Sequence, residues 1–149
     1  MTILLVDDDP EVILLWTNLL KDTGCEVRAA MNLEAAMIEM AKIPPPTFVL
    51  LDLKLPPNSP DEVVASVDRF RQYNTNVAIV VVSGMLPEEI RRIVGGANVA
   101  AMATKVDLAT QDRLFSVLKD AWSKMTCAAD SFEFMEKINA FLNPTTSTA

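Results

Sequence analysis

Acidic residues follow two apolar runs of the chain. Asp7 to Asp9 come directly after residues 3–6, and Asp52 comes directly after residues 48–51. Carboxylates that converge on one crevice repel one another, which raises their pKa values or requires a cation. Mg²⁺ takes oxygen ligands and commonly uses one or two carboxylates together with waters and phosphate oxygens. This pattern therefore indicates a hard divalent cation held by aspartates.

A hydroxyl and an amine follow two further apolar runs. Ser83 comes after residues 77–82, and Lys105 lies just beyond residues 99–103. Acids, a hydroxyl, a lysine and a divalent cation match phosphoryl transfer to a carboxylate, where catalysis is mainly positioning and charge neutralisation. Taken singly, Ser83 could be a turn residue and Lys105 a solvated charge. Asp52 has no evident structural partner, which argues for chemistry.

Composition excludes several classes of function. The chain has 149 residues and a net charge of −7, with 13 Lys plus Arg, 20 Asp plus Glu and no His. It therefore lacks His-based triads and His-ligated zinc, and any phosphohistidine must lie on another protein. The acidic balance argues against a nucleic-acid partner. Cys25 and Cys127 are expected to be reduced thiols of a cytoplasmic protein, since we find neither a secretory signal nor a membrane span.

Five short apolar runs alternate with segments of helical periodicity. The expected strands cover residues 3–6, 26–29, 48–51, 77–82 and 99–103. Four of them are nearly continuous in apolar residues, which is typical of parallel strands covered on both faces. The second alternates and is expected at an edge. Right-handed crossovers then predict an α/β fold with a doubly wound five-stranded parallel sheet of order 2-1-3-4-5.

Capping residues and prolines mark the starts of five helices. We expect helices to begin at Pro10 after Asp9, after Asn32, at Pro60 in the capping box 59–62, at Pro87, and after Asp107. The fourth helix should end at the glycine pair 95–96. Asp9 is equally well read as a helix cap or as a member of the acidic cluster.

The chain continues beyond these five units. Residues 131–142 carry apolar side chains at helical spacing, and a polar tail covers residues 143–149. The apolar positions are Phe134, Met135, Ile138, Phe141 and Leu142. We expect this helix either to dock on the domain or to present Phe134, Ile138 and Phe141 to a partner, with docking favoured. The extra residues are too few for an effector domain.

The sequence resembles the receiver domain of two-component response regulators, which are CheY-like proteins, over roughly residues 1–124. Residues 3–10 are similar to the acidic segment of the family, and residues 51–56 to its phosphoacceptor segment. Ser83 and Lys105 fall where the family keeps a Ser or Thr and an invariant lysine. The resemblance implies a flavodoxin-like fold with an extra C-terminal helix. It also implies a receiver domain over 1–125 and a helical extension with a polar tail over 126–149.

The resemblance also implies roles for the acidic residues. Asp52 would be the nucleophile that accepts a phosphoryl group from the phosphohistidine of a sensor histidine kinase or phosphotransfer protein. Asp8 and Asp52, with the backbone carbonyl of Lys54, would hold Mg²⁺, and Asp7 would act mainly through bound water. Lys105 would pair first with the carboxylate and then with the phosphoryl oxygens.

Ser83 would hydrogen-bond the phosphoryl group, and its movement would drive the switch. The implied protein is a phosphoacceptor rather than an enzyme, with slow self-dephosphorylation as an option. It would be a single-domain regulator that signals by a phosphorylation-dependent change in protein binding. The resemblance leaves open a weak homodimer through the fourth and fifth helices. Neither a nucleic acid nor a membrane is implied as a direct partner.

Two residues depart from the family pattern. Met102 stands where the family has an aromatic switch residue, and Val106 stands where it has a proline after a cis bond. A flexible thioether predicts a softer readout, and a non-proline residue predicts a trans bond. Both departures favour an alternative function, a receiver-like interaction module that does not depend on phosphorylation. Retention of the acids, the hydroxyl and the lysine favours the active receiver.

Two enzymatic alternatives fit less well. A flavin protein of similar fold would need a phosphate-binding loop after the first strand, where Asp7 to Asp9 would repel the phosphate. A phosphohydrolase of the haloacid-dehalogenase type needs a second acid two residues after its nucleophile, and Lys54 occupies that position.

Overall fold

The computed structural model describes residues 1–124 and 132–142, and in the second segment the side chains from residue 135 onward. Its five strands form one parallel sheet of order β2-β1-β3-β4-β5, which confirms the predicted topology. The strands are β1 Thr2–Val6, β2 Glu26–Ala30, β3 Phe48–Asp52, β4 Ala78–Ser83 and β5 Ala101–Thr104. β2 and β5 are the edges, as expected for the alternating second strand.

Seven α-helices connect and cover the strands in the described residues. They are α1 Pro10–Leu20, α2 Leu33–Met40, α3 Pro60–Ala65, α4 Val67–Tyr73, α5 Pro87–Val94, α6 Gln111–Ser123 and α7 Phe132–Leu142. A short 3₁₀ turn, Lys21–Thr23, follows α1. The fourth and fifth helices expected from the sequence correspond to α5 and α6. None of the helices in the described ranges combines the length and the apolar character needed to cross a bilayer.

Four of the five predicted helix starts are confirmed, and the fourth helix, α5, begins at Pro87 and ends directly before the glycine pair at 95–96, as expected. Asp9 Oδ1 accepts the N–H of Glu11 at 2.9 Å, and the Asn32 side chain accepts the N–H of Ala35 at 2.8 Å. Ser59 and Glu62 form a reciprocal capping box. Asp9 therefore caps the start of α1, one of the two roles that the sequence allowed.

Three elements differ from the sequence prediction by an internal break or by more than one residue at a boundary. The third helix divides at Ser66, whose hydroxyl donates to the carbonyl of Val63 and so competes with the helical ladder. β5 begins at Ala101 rather than at Val99. α6 begins at Gln111, because Asp107 is engaged in the turn that precedes it.

The core has one layer on each face of the sheet. One layer lies under α1, α6 and α7, and the other lies under α2, α3, α4 and α5. Met135 and Ile138 of α7 are buried in the first layer, which confirms docking of the terminal helix. Phe141 packs edge-to-face on Phe115, with ring centroids 5.0 Å apart. The Phe134 side chain, Cys127 and the expected polar tail lie outside the described residues.

Candidate functional site

Four adjacent strands end at one edge of the sheet, and each delivers a polar side chain there. Asp7 follows β1, Asp52 ends β3, Ser83 ends β4 and Lys105 follows β5. Because the strands are parallel and β1, β3, β4 and β5 are successive neighbours, these ends lie side by side. Open α/β sheets bind ligands at this carboxyl edge, where the strand order reverses.

Three carboxylates and one amine meet at the edge. Oxygens of Asp7, Asp8 and Asp52 all lie within 4.8 Å of one another. Asp7 and Asp52 are buried, with Asp52 only 1% exposed, whereas Asp8 faces solvent. Lys105 Nζ lies 3.0 Å from Asp7 Oδ2 and 3.2 Å from Asp52 Oδ2. One ammonium group thus bridges two buried carboxylates.

The remaining carboxylate oxygens have unequal partners. Asp7 Oδ1 accepts the N–H of Asp9 at 2.8 Å, and Asp52 Oδ1 accepts the N–H of Lys54 at 3.1 Å. The Oδ2 atoms of Asp7 and Asp52 are buried, and within the described residues they accept no hydrogen bond of acceptable geometry. They contact Lys105 only as an ion pair. Two buried acceptors therefore retain unused lone pairs.

This donor set fits Mg²⁺. Asp7, Asp8 and Asp52 carry three negative charges when ionised, and Lys105 compensates one of them. The exposed Asp8 keeps the cluster open to solvent, so a cation with bound waters can reach it. A hard divalent ion prefers carboxylate oxygens and water, and the unpartnered Oδ2 atoms supply the former.

The ionisation of Asp52 and Lys105 reflects their surroundings. Burial, with a smaller contribution from the charge of Asp7, raises the pKa of Asp52 to about 6 against the opposing effects of the Lys54 N–H and Lys105. Burial disfavours the charged form of Lys105, but the contacts with Asp7 and Asp52 outweigh it and raise its pKa. At neutral pH Lys105 is therefore a cation, and Asp52 is mostly a carboxylate.

Ser83 is buried beside this cluster without bonding to it. Its Oγ accepts the N–H of Met85 at 3.1 Å, and no hydrogen bond in the described part of the chain joins it to Asp7, Asp52 or Lys105. Since a hydroxyl can donate and accept at once, its O–H hydrogen stays available. Lys54 is exposed, and its N–H is bonded to Asp52 Oδ1.

The sequence did not predict that two residues beside Lys105, Thr104 and Asp107, are bonded to each other. The Thr104 N–H donates to Asp107 Oδ2 at 3.2 Å, and the Asp107 N–H donates to Thr104 Oγ1 at 3.1 Å. The signal was the spacing of Thr and Asp three residues apart, a pattern that closes turns as well as helix starts. Val106 within this turn is 74% exposed. The bond from Lys105 to Val106 is trans, as expected, because the cis bonds of the described residues precede Pro44 and Pro57.

Met102 lies on the outer side of β5. Its side chain is 43% exposed and borders a cleft of about 240 Å³ between β5 and α5. Ile90 and Arg91 of α5 line the same cleft. The thioether thus faces solvent on the edge strand, three residues before Lys105.

Comparison with known proteins agrees with this geometry. Residues 3–105, more than half of the chain, match the family model described as response regulator receiver domain. A response regulator from Thermotoga maritima shares 20% identity and a TM-score of 0.70, over 83% of this chain and 98% of that chain. The chemotaxis response regulator CheY4 of Vibrio cholerae shares 19% identity and a TM-score of 0.68, over 80% and 97%.

A third similar structure is the phosphorylated cyanobacterial phytochrome response regulator RcpA. It shares 25% identity and a TM-score of 0.63, over 79% of this chain and 88% of that chain. No curated protein matches the chain. The family match, the sheet order and the acidic edge agree, and the chain belongs to the response regulator receiver domain family, whose members accept phosphoryl groups in two-component signalling.

Proposed function

We propose that this protein is a response regulator in which Asp52 accepts a phosphoryl group and phosphorylation changes its protein binding. The observation that carries the proposal is the contact between Asp52 and Lys105, 3.2 Å apart, beside a second buried acid. A carboxylate at that position is both activated by desolvation and compensated by a cation. The chain has no histidine, so the donor phosphohistidine belongs to a sensor kinase or phosphotransfer protein.

The acidic cluster is the proposed Mg²⁺ site. Asp8 and Asp52 would hold the ion with the backbone carbonyl of Lys54, and Asp7 would act mainly through bound water. When bound, the ion neutralises charge on the phosphoryl oxygens. The unpartnered buried oxygens of Asp7 and Asp52 support this assignment.

The transfer itself is a displacement at phosphorus. A carboxylate oxygen of Asp52 bonds to phosphorus as the phosphorus–nitrogen bond of the donor breaks, and the imidazole keeps the bonding electron pair and takes up a proton. Lys105, which pairs with the Asp52 carboxylate before transfer, then pairs with the phosphoryl oxygens. The free O–H of Ser83 donates to one of those oxygens, which draws the end of β4 toward Asp52.

We place this activity in a cytoplasmic regulator with a protein target and no direct contact with nucleic acid or membrane. The proposed division separates a receiver domain over 1–125 from an extension over 126–149. α7 buries Met135 and Ile138 in the core, so it supports the domain. A weak homodimer through α5 and α6 is part of the proposal, and it would have to use the α6 surface that α7 leaves open, because Phe141 of α7 packs on Phe115 of α6.

A second candidate is an interaction module that does not depend on phosphorylation. The exposed thioether of Met102 favours it, because a flexible side chain already in solvent need not change position when the site is charged. The acidic edge would then be a retained structural feature, and binding would be the same with and without a phosphoryl donor.

One experiment separates the two candidates. The full chain is incubated with Mg²⁺ and acetyl phosphate, and intact mass is measured for wild type, Asp52→Asn and the control Asp68→Asn, which removes an exposed carboxylate on α4. The proposal predicts one phosphoryl increment in wild type and in the control, and none in Asp52→Asn or in excess chelator. Absence of the increment in wild type supports the interaction module, and its retention in Asp52→Asn refutes the assignment of the acceptor.

A further inference from the structure

The turn that carries Lys105 is closed by two reciprocal hydrogen bonds. The backbone N–H of Thr104 donates to the Asp107 carboxylate at 3.2 Å, and the backbone N–H of Asp107 donates to the Thr104 hydroxyl at 3.1 Å. Lys105 and Val106 lie between the two bonded residues. We call this arrangement the Thr104–Asp107 clamp.

The clamp supplies a hydrogen-bond acceptor on the unpaired side of the edge strand β5. β5 has four residues and pairs only with β4. The Lys105 N–H points inward and donates to the Ser83 carbonyl at 2.9 Å, so the preceding Thr104 N–H faces the side of the strand that has no neighbour. Unpaired N–H groups of an edge strand otherwise depend on water. The Asp107 carboxylate takes the place of the missing strand at this point.

Packing does not hold the turn between its ends. Val106 is 74% exposed and contributes little apolar burial, whereas Leu108 beyond the turn is fully buried. The hydrogen bonds with Thr104 lower the pKa of Asp107 below its ordinary value, so its carboxylate is an anionic acceptor at neutral pH. Its second partner, Arg113, lies 3.6 Å away with both side chains exposed, and such pairs contribute little. The clamp therefore restrains the backbone of Lys105 together with two backbone hydrogen bonds, from the Lys105 N–H to the Ser83 carbonyl at 2.9 Å and from the Ala109 N–H to the Val106 carbonyl at 3.2 Å.

We propose that Thr104 and Asp107 are positioning residues that hold Lys105 between Asp7 and Asp52. The expected effect on the phosphorylation rate rests on the proposed function, since a lysine displaced from Asp52 cannot pair with the incoming phosphoryl oxygens. A second effect, on Mg²⁺ affinity, is expected in the unphosphorylated protein. An ammonium that moves away from the acidic cluster competes less with a divalent cation there.

The test compares two disruptive and two conservative variants. Thr104→Val keeps the β-branched shape and removes the hydroxyl acceptor, and Asp107→Ala removes the carboxylate. Thr104→Ser and Asp107→Asn each keep an oxygen that can accept the same N–H. Arg113→Gln is the control, because it removes the charge next to Asp107 and leaves the clamp intact.

Two readouts are measured on the full chain at neutral pH. The rate of phosphorylation by acetyl phosphate with saturating Mg²⁺ should fall about tenfold or more in the disruptive variants, because misplacing a catalytic group by about 1 Å costs up to about 100-fold. Mg²⁺ affinity, measured by calorimetric titration without a phosphoryl donor, should rise in the same two variants. The conservative variants and Arg113→Gln should stay near wild type in both readouts.

The outcomes separate positioning from simple stability. If Thr104→Val and Asp107→Ala unfold more easily but keep the wild-type rate and Mg²⁺ affinity, the clamp only supports the fold and the inference is wrong. Failure of Thr104→Ser to restore the wild-type values also overturns it. If wild type takes up no phosphoryl group, the proposed function fails, and the Mg²⁺ titration alone decides the positioning role.

Discussion

Replacing the proposed phosphoacceptor by its neutral isostere should stabilise the metal-free protein. Asp52 is buried beside Asp7, and desolvation raises its pKa from 3.8 to about 6. The fold therefore favours the protonated acid. The stability that this group contributes is complete below the unfolded value near pH 3.8, and it is lost as the pH rises through about 6. Asp52→Asn removes that loss.

The pKa shift sets the size of the effect. A rise from 3.8 to about 6 corresponds to about 3 kcal/mol of unfolding free energy above pH 7. At pH 5, which lies between the unfolded and folded pKa values of Asp52, the variant should be more stable than wild type by about half of this amount. Because an asparagine side chain has nearly the same shape as aspartate and does not ionise, the comparison isolates one ionisation.

Urea denaturation of wild type and Asp52→Asn at pH 5 and pH 8, in chelator, measures the difference directly. Asp68→Asn is the matched control: its exposed carboxylate on α4 lies outside the acidic cluster, so its change in stability should be small. In saturating Mg²⁺ the wild type should regain more stability than Asp52→Asn, because only the wild type keeps the full set of carboxylates.

Two results would refute the reasoning. One is a variant that is less stable than wild type at pH 8 in chelator, which would mean that the Lys105 contact outweighs desolvation. The other is a stabilisation of equal size at both pH values, which would show that it does not come from the ionisation of Asp52.

Three further predictions concern other parts of the molecule. Lys105→Gln should destabilise the metal-free protein by about 1 to 3 kcal/mol at pH 8, less than a fully buried pair because Lys105 is 31% exposed, and denaturation in chelator checks this. Ile138→Ala should cost about 2 to 5 kcal/mol by urea denaturation, because the side chain is fully buried, and the exposed Asn139→Ala should cost little. Ser59→Ala should cost about 1 kcal/mol by the same measurement, since it removes the capping box of α3, and no loss would contradict that role.

Much of the fold was predictable because local and periodic signals agree. Continuous apolar runs marked buried parallel strands, and the alternating run marked the edge strand β2. Side-chain caps at Asp9 and Asn32 set the starts of α1 and α2 through bonds within three residues. The break at Ser66 was not predictable, since Ser is compatible with a helix interior and its hydroxyl could also have faced solvent.

The candidate site also has one part that the sequence predicts and one part that it does not. Parallel strands that end in acids must bring those acids to one edge, so Asp7, Asp8 and Asp52 could be grouped without coordinates. The Thr104–Asp107 clamp could not be, because Asp107 also suited a helix cap, and only the start of α6 at Gln111 decided between the two.

The amino-acid sequence by itself determined which residues stand at the strand ends, since hydrophobic periodicity and capping act over a few neighbours. The tertiary structure decided which atoms meet there. Lys105 Nζ contacts the buried oxygens of Asp7 and Asp52, yet those oxygens keep unused lone pairs. Such distances depend on the twist of the sheet and the path of each loop, which arise from packing among segments far apart in the chain.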